Sequence, residues 1–426
     1  MLTDQYELTM LRAALHSGTA QRRSVFEVFA RYLPHGRRYG VVAGVGRLLD
    51  ALEDFRFDSG QLEFLLAAGI VDQATAGFLE SYQFGGDIWG YAEGECYFPG
   101  SPILVVEGTF AEAVVLETLA LSVLNHDSAI AAAGSRMVLA AAGRPIIEMG
   151  SRRTHERAGV ASARAAYIAG FASTSNLRAG YEYQIPTTGT SAHAFTLLYD
   201  DELDAFRAQV DALGPGTTLL VDTYDVAAGV RTAVAAAGPD LGAVRIDSGD
   251  LGLYARDVRA QLDSLGAQKT RIVLTGDLDE HSIAALAAAP ADGYGAGTSL
   301  VTGSGAPTAA LVYKMVARAD EPGQGPLRPV AKRSVGKPSR GGRKWAARQL
   351  DADGTAVAEY VTDTPPDPQL RPLLQPLVRG GKVVGREPVD AARARHRAAI
   401  AELPAHARQL SRGYPAIPTR FIPDRD

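Results

Sequence analysis

The feature that most constrains the fold is a regular alternation that begins near Arg144. Six short β-prone runs, RPIIEMG, YQIPTTGT, TTLLVDTYD, GAVRIDSGD, TRIVLTGDLD and ADGYGAGTSLV, recur along this part of the chain. Between them lie ERAGVASARAAYIAGF, DELDAFRAQVDALG, VAAGVRTAVAAAG, LGLYARDVRAQLDSLG and EHSIAALAAAP, each with apolar residues at helical spacing. Strands joined by helical crossovers run parallel, so the pattern predicts a parallel sheet or a βα barrel. Nearly every run closes on Gly, Asp, Ser or Thr. The C-terminal ends of such strands gather on one face, which predicts a single site built from several loops.

The flanks read differently. Residues before about 110 are rich in Gly, aromatics and turn signals, and those after about 325 in Pro, Gly and Arg. The front segment GDIWGYAEGECYFPGSPILVVEG is expected to pair with the back segment GRKWAARQLDADGTAVAEYV, both ends building one β-containing domain around the inserted barrel. The expected division is 1–110, 111–325 for the barrel, and 326–426 returning to the first domain. The tail PTRFIPDRD has too few apolar residues to argue for a packed element.

Composition narrows the function classes. With 426 residues, 46% of them hydrophobic, the chain can bury a large core. Acids number 48 against 43 bases, a net charge of −5, so no global field draws it to nucleic acid or anionic lipid. The single cysteine, Cys96, allows no internal disulfide, and no Cys/His spacing suits zinc. The start MLTDQYELTM carries acids where a signal peptide has bases, and no apolar run reaches the roughly 18 residues of a membrane span. A cytoplasmic enzyme or binding protein is expected.

Three stretches are candidates for chemistry. DGYGAGTSLVTGSG, Asp292 to Gly305, puts Gly295 and Gly297 before Thr298 at a strand end; the glycines suit close approach of backbone N–H groups to a phosphate, or simply a left-handed turn. VRIDSGDLG offers Arg245, Asp247, Ser248 and Asp250 in one loop. A carboxylate there can hold ribose hydroxyls or Mg²⁺ through water, and the arginine an anion, while Ser248 or Asp250 caps the helix that follows. EMGSRRTHE gives adjacent Arg152 and Arg153, suited either to an anionic substrate or to a solvated loop. The basic run KRSVGKPSRGGRKW, Lys332 to Trp345, reads as a solvated connection or edge strand, with too few aromatics for nucleic acid. A lone histidine, His193 in GTSAHAF, is by itself no more than a core or capping residue.

Taken in order, LTDQYELTM, GSRRTHE, FASTSN, GTSAHAF, RIDSGDL, TGDLDE and GYGAGTSLVT resemble the nicotinate phosphoribosyltransferase family. The basic run is similar to a Lys/Ser/Gly-rich stretch following that family's barrel. The likeness fades from about residue 365. It implies an irregular, incomplete, TIM-like βα barrel with a second α+β domain built from both chain ends, and a homodimer with shared sites. It implies conversion of nicotinate and 5-phosphoribosyl-1-pyrophosphate (PRPP) to nicotinate mononucleotide and pyrophosphate, with Mg²⁺, coupled to ATP hydrolysis through a phosphohistidine, in NAD salvage.

By resemblance His193 is the phosphorylated position. Neutral imidazole is nucleophilic near neutral pH, which makes this chemically reasonable. The likeness places Tyr6 on the pyridine ring from across the dimer, Arg152, Arg245 and Thr190 near carboxylate and phosphates, and Asp247 on ribose or a Mg²⁺ shell. Ser248, Gly276, Asp277, Gly295, Gly297 and Thr298 would surround the 5-phosphate and its ribose. A nicotinamide-specific relative is expected to carry an acid in the segment matching FASTSNLRAG, and this chain has none there. Quinolinate phosphoribosyltransferase is expected to be shorter and to lack the histidine stretch. The adjacent acids of orotate- and purine-type enzymes are missing, since VDTYD separates Asp222 from Asp225. A noncatalytic nucleotide-binding barrel would need the glycines without the histidine.

Overall fold

In a computed structural model, residues 1–323, 325–332 and 339–422 are described. The chain divides into two units, one of Met1–Ala129 with Ala306–Asp426, the other of Ile130–Gly305.

The second unit carries the alternation. Its six strands are β1 (Ile146–Glu148), β2 (Ser173–Thr174), β3 (Thr218–Leu220), β4 (Ala243–Ile246), β5 (Arg271–Leu274) and β6 (Gly293–Ala296). They form one sheet in the order β2-β1-β6-β5-β4-β3, with every pairing parallel. The terminal strands β2 and β3 stay unpaired with each other, so the curled sheet is a half-barrel. Helices Glu156–Ala169, Glu202–Leu213, Val226–Ala237, Leu251–Ser264 and Glu280–Ala285 supply the crossovers.

One expected strand is displaced. YQIPTTGT forms only an isolated bridge, Thr174 to Thr187, and the strand beside β1 is Ser173–Thr174 instead. Pro186 has no N–H to donate to a ladder, whereas the backbone N–H of Thr174 reaches the Pro186 carbonyl at 3.0 Å.

In the first unit, strands from both chain ends interleave in a seven-stranded antiparallel sheet. Arg22–Ala30 lies between Leu311–Pro322 and Leu104–Thr109, and Asp87–Tyr91 pairs with Leu374–Arg379. The expected pairing of the front segment with GRKWAARQLDADGTAVAEYV does not form, because Trp345–Leu350 and Ala356–Thr362 pair with each other in a separate four-stranded sheet. Their sequence makes a local hairpin, closed by the Asp351–Gly354 turn, that needs no distant partner. The tail is also more ordered than its composition implies: Thr419–Ile422 adds a parallel strand to Ala356–Thr362. Residues 423–426 lie outside the described residues.

The core of this unit packs Leu8, Leu11, Leu48, Leu49, Leu65 and Leu79 from its helices against Val25, Val28, Val105 and Val316 of the sheet. A buried ion network sits beside it. Arg348, fully buried, bonds Glu95 at 2.7 Å and Glu359 at 2.5 Å, and Arg371 reaches Glu95 at 2.8 Å. Burial opposes ionisation of both acids, but Glu95, between two guanidinium groups, is held below the usual range. Glu359, with Arg348 alone, is pushed up. The basic run is not wholly solvated: Lys344 is buried on Glu27, while residues 333–338 lie outside the described residues.

Candidate active site

The polar strand endings divide into two jobs. In VDTYD, IDSGD and TGDLD the last Asp caps the next helix. Asp225 accepts from Ala228 N at 2.7 Å, Asp250 from Leu253 N at 3.0 Å, and Asp279 from Ser282 N at 2.7 Å. Each cap stabilises its helix by about 1 kcal/mol. The earlier polar residue, three or four positions back, does something else: Asp222, Asp247 and Thr275 meet at the end of the sheet.

Arg245, in β4, holds that meeting together. All three guanidinium nitrogens have protein partners: Nε donates to Thr275 Oγ1 at 3.0 Å, Nη1 to Thr190 Oγ1 at 2.6 Å, and Nη2 to Asp247 Oδ1 at 3.2 Å. Its side chain is only 12% exposed. The Thr275 hydroxyl also donates to Asp247. Burial opposes ionisation of Asp247, yet Thr275 and Arg245 hold its carboxyl below the usual range. Asp222 Oδ2 accepts from Asp247 N and Ser248 Oγ, both at 2.9 Å, and Asp222 Oδ1 is buried with no partner among the described residues.

His193 opens the short helix His193–Thr196 and is half-buried. Its Nδ1 lies 3.2 Å from Thr223 Oγ1. If that nitrogen carries the proton and donates it to Thr223, Nε2 keeps a lone pair.

A second anchor lies at the end of β1. Glu148, fully buried, accepts from Gly150 N and Thr174 Oγ1, each at 2.5 Å. Burial pushes its pKa up even so. Through Gly150 it fixes the turn Ser151–Arg153. Through Thr174, whose carbonyl accepts from Thr188 N at 2.9 Å, it fixes the approach to Thr190. Arg152 and Arg153 in the turn are exposed, with no partner among the described residues.

The glycines separate in the same way. Gly303 and Gly305 have positive φ, as a turn requires, but Gly295 does not. A Cβ on Gly295 would lie 2.6 Å from the Thr275 methyl carbon and 2.9 Å from Met149 Sδ, so close packing of strand ends demands glycine there. Gly276 has φ of 130°, and a Cβ there would lie 3.1 Å from Asp247 O. Gly297 precedes the short helix Thr298–Val301 on the Met149–Gly150 side.

The structure therefore links Thr190, Arg245, Asp247 and Ser248 by hydrogen bonds and sets Gly276 and Gly295 against the same cluster. Asp277 is exposed and bonded to none of them. Tyr6 belongs to the other unit, on helix Gln5–His16, and is 46% exposed. Sequence reasoning missed Asp222, Thr223, Thr275 and Glu148. The paired polar positions, one facing the site and one capping, were the signal for the strand-end residues among them.

Among the described residues, no cluster of three or more His, Cys, Asp or Glu is placed to hold a metal by itself. Asp247 with the unpartnered oxygen of Asp222 fits a Mg²⁺ that also takes phosphate oxygens and water, which is how this ion is usually held. No helix among the described residues is long and apolar enough to cross a membrane.

Comparisons with known proteins bear on the family and the fold. A family model, the nicotinate phosphoribosyltransferase N-terminal domain, matches residues 1–125. Over 435 residues the chain is 60% identical to a nicotinate phosphoribosyltransferase of Mycobacterium tuberculosis, covering 99% of this chain and 95% of the relative. A second one from that organism is 39% identical, with 96% and 89% covered. The crystal structure of human nicotinic acid phosphoribosyltransferase superposes with a TM-score of 0.83 over 99% of this chain and 98% of that one. At 24% identity, that likeness speaks for the fold.

Proposed function

The chain belongs to the nicotinate phosphoribosyltransferase family, and from that premise we propose how its parallel-sheet unit carries the reaction. The enzyme forms nicotinate mononucleotide and pyrophosphate from nicotinate and PRPP, a step of pyridine-nucleotide salvage. The nitrogen of nicotinate forms a bond to the anomeric carbon of the ribose as the bond to pyrophosphate breaks. Positive charge develops on that carbon. Fixed carboxylates and a water-poor site stabilise such charge better than bulk water does.

The observation that carries the assignment of roles is the Arg245 cluster, which brings Thr190, Asp247 and Thr275 together in one hydrogen-bonded group. In this reading Asp247, kept ionised, faces the ribose, with Asp222 orienting it. Arg245 and Thr190 set the nicotinate side, and Arg152 offers an unpaired cation to phosphate. Gly276, Asp277, Gly295, Gly297, Thr298 and Ser248 border the phosphoribosyl group. Mg²⁺, held by Asp247 through water, would neutralise pyrophosphate charge.

ATP coupling runs through His193. Nε2 attacks the γ-phosphorus, a P–N bond forms, and ADP leaves; later attack by water releases phosphate and regenerates the imidazole. The Nδ1 contact to Thr223 steadies the ring while it carries the phosphoryl group. The site is completed in a homodimer, with Tyr6 supplied by the partner over the pyridine ring, and the unit of both chain ends is the α+β domain of the family. We place the enzyme in the cytoplasm. The test is product formation from nicotinate, nicotinamide and quinolinate, each with PRPP and Mg²⁺, with and without ATP. Nicotinate alone should give product, and ATP should raise its yield.

A further inference from the structure

Glu280 has no part in the reaction as proposed, yet it is a buried acid beside the loops assigned to the phosphoribosyl group. It follows the helix cap Asp279 and is only 4% exposed. Both carboxylate oxygens are engaged, each on a different element. Oε1 accepts from Arg136 Nε at 2.8 Å, near the end of helix Glu117–Ala140, and Oε2 accepts from Ser304 Oγ at 2.7 Å. Arg136 is buried as well. Burial opposes ionisation of Glu280, yet Arg136 and Ser304 hold its carboxyl below the usual range. The bond to Ser304 is therefore charge-assisted and fixed in place by an ion pair behind it.

Ser304 stands where a side chain is disfavoured. It is the middle of three successive left-handed residues, with φ of 64° at Gly303, 49° at Ser304 and 81° at Gly305. Glycine adopts that conformation freely, whereas a side chain strains it. The bond to Glu280 accounts for a serine there. Its backbone N–H donates to Ser299 O at 2.7 Å, which closes the turn onto the short helix Thr298–Val301. Strands β5 and β6 are parallel neighbours, and the loop after β5 carries Gly276 and Asp277 while the loop after β6 carries Gly297 and Thr298. Glu280, at the start of the helix that follows the first loop, is thus bonded to the turn that ends the second.

We propose that Glu280 is a positioning residue for the phosphoribosyl group, setting the separation of the β5 and β6 loops through Ser304. This rests on the reading that those loops border that group. Neither side chain has to touch the substrate. The nicotinate side hangs on Arg245 and Thr190, whose hydrogen bonds do not include Glu280 or Ser304. A fault in the Glu280–Ser304 contact should therefore fall on PRPP and spare nicotinate.

Steady-state kinetics of Ser304→Ala test it, because that change removes the hydroxyl and leaves the Arg136–Glu280 pair in place. The PRPP KM should rise about tenfold, the effect of losing a hydrogen bond to a charged group, with the nicotinate KM and kcat changed by less than about twofold. Ser304→Asn should recover most of the PRPP KM, since asparagine tolerates a left-handed backbone and offers an amide N–H to Glu280. Glu280→Gln should shift the PRPP KM in the same direction, and Ser304→Ala added to it should raise the value no further, as expected of two residues acting through one contact. Thr298→Ala separates the two ways of failing, because the reading places Thr298 against the group itself. A raised PRPP KM in Thr298→Ala with none in Ser304→Ala would overturn the role of Glu280 alone. No rise in either would overturn the assignment of these loops with it. Rises in both KM values by the same factor in Ser304→Ala, or additive effects of the Ser304 and Glu280 changes, would also overturn the proposal.

Discussion

Arg245 Nη1 donates to Thr190 Oγ1 at 2.6 Å, which ties the end of a central strand to the loop that leads into His193. The same guanidinium bonds Thr275 and Asp247, so one side chain sets the relative positions of three loops. Arg245→Ala should lower kcat/KM for nicotinate by about 10- to 100-fold, the equivalent of about 1.5–3 kcal/mol for bonds to a charged group. Arg245→Lys should not restore it, because an ammonium cannot reproduce the planar fork. Steady-state kinetics check both; unchanged values would make the arginine a bystander.

Glu148 is the second positioning group. Glutamine in its place offers one acceptor to two donors, Gly150 N and Thr174 Oγ1, so Glu148→Gln should cost about 1–3 kcal/mol of stability. The fold raises this carboxyl above its ordinary value of 4.5, so its contribution is fully present below that value and is lost as pH rises through the folded pKa. Glutamine does not titrate. The margin of the wild type over Glu148→Gln should therefore narrow as pH is raised from 4.5, as read by thermal melts across pH.

In the chain-end unit, Arg348 bonds two buried carboxylates, Glu95, which Arg371 also reaches, and Glu359, which no other arginine pairs with among the described residues. Arg348→Met should destabilise by about 3–5 kcal/mol, since it leaves Glu359 without its charged partner. Adding Glu359→Gln should recover part of the loss. Equal melting temperatures for the single and double variants would show that the charge on Glu359 is not the cause.

Legibility differed by element. The parallel sheet could be read because its strands and helices differ sharply in periodicity, and five of the six expected strands stand where the runs placed them. YQIPTTGT failed because apolar and β-branched residues do not make a strand when proline removes a ladder donor. The chain-end unit was harder: Leu311–Pro322 and Arg22–Ala30 pair across almost 300 residues, and nothing local encodes such a register. Within the site, Arg245 was visible as a cation in an apolar strand, and Asp247 as its neighbour. Asp222 had a signal in the paired polar positions of its strand end, whereas Glu148 was hidden, because a buried carboxylate is recognised by what surrounds it. The likeness to a family singled out His193; the local sequence did not.

The proposed sharing of sites between subunits can be examined by mixing variants. Tyr6→Ala should raise the nicotinate KM more than the PRPP KM, since an aromatic face over a ring contributes roughly 1 kcal/mol beyond burial. Heterodimers of Tyr6→Ala with His193→Ala should regain part of the coupled activity, because one site then collects both lesions and the other none. Two differently tagged chains that co-purify establish the exchange. Heterodimers with no recovery would mean that Tyr6 does not serve a partner's site.

The proposed phosphorylation of His193 by ATP is tested most directly by labelling with γ-³²P ATP. Acid-labile label is expected on His193 of the wild-type enzyme, released when nicotinate and PRPP are added. His193→Ala should show no label and no ATP turnover, while slow uncoupled product formation persists. Label on another residue, or ATP hydrolysis at the wild-type rate in His193→Ala, would contradict it.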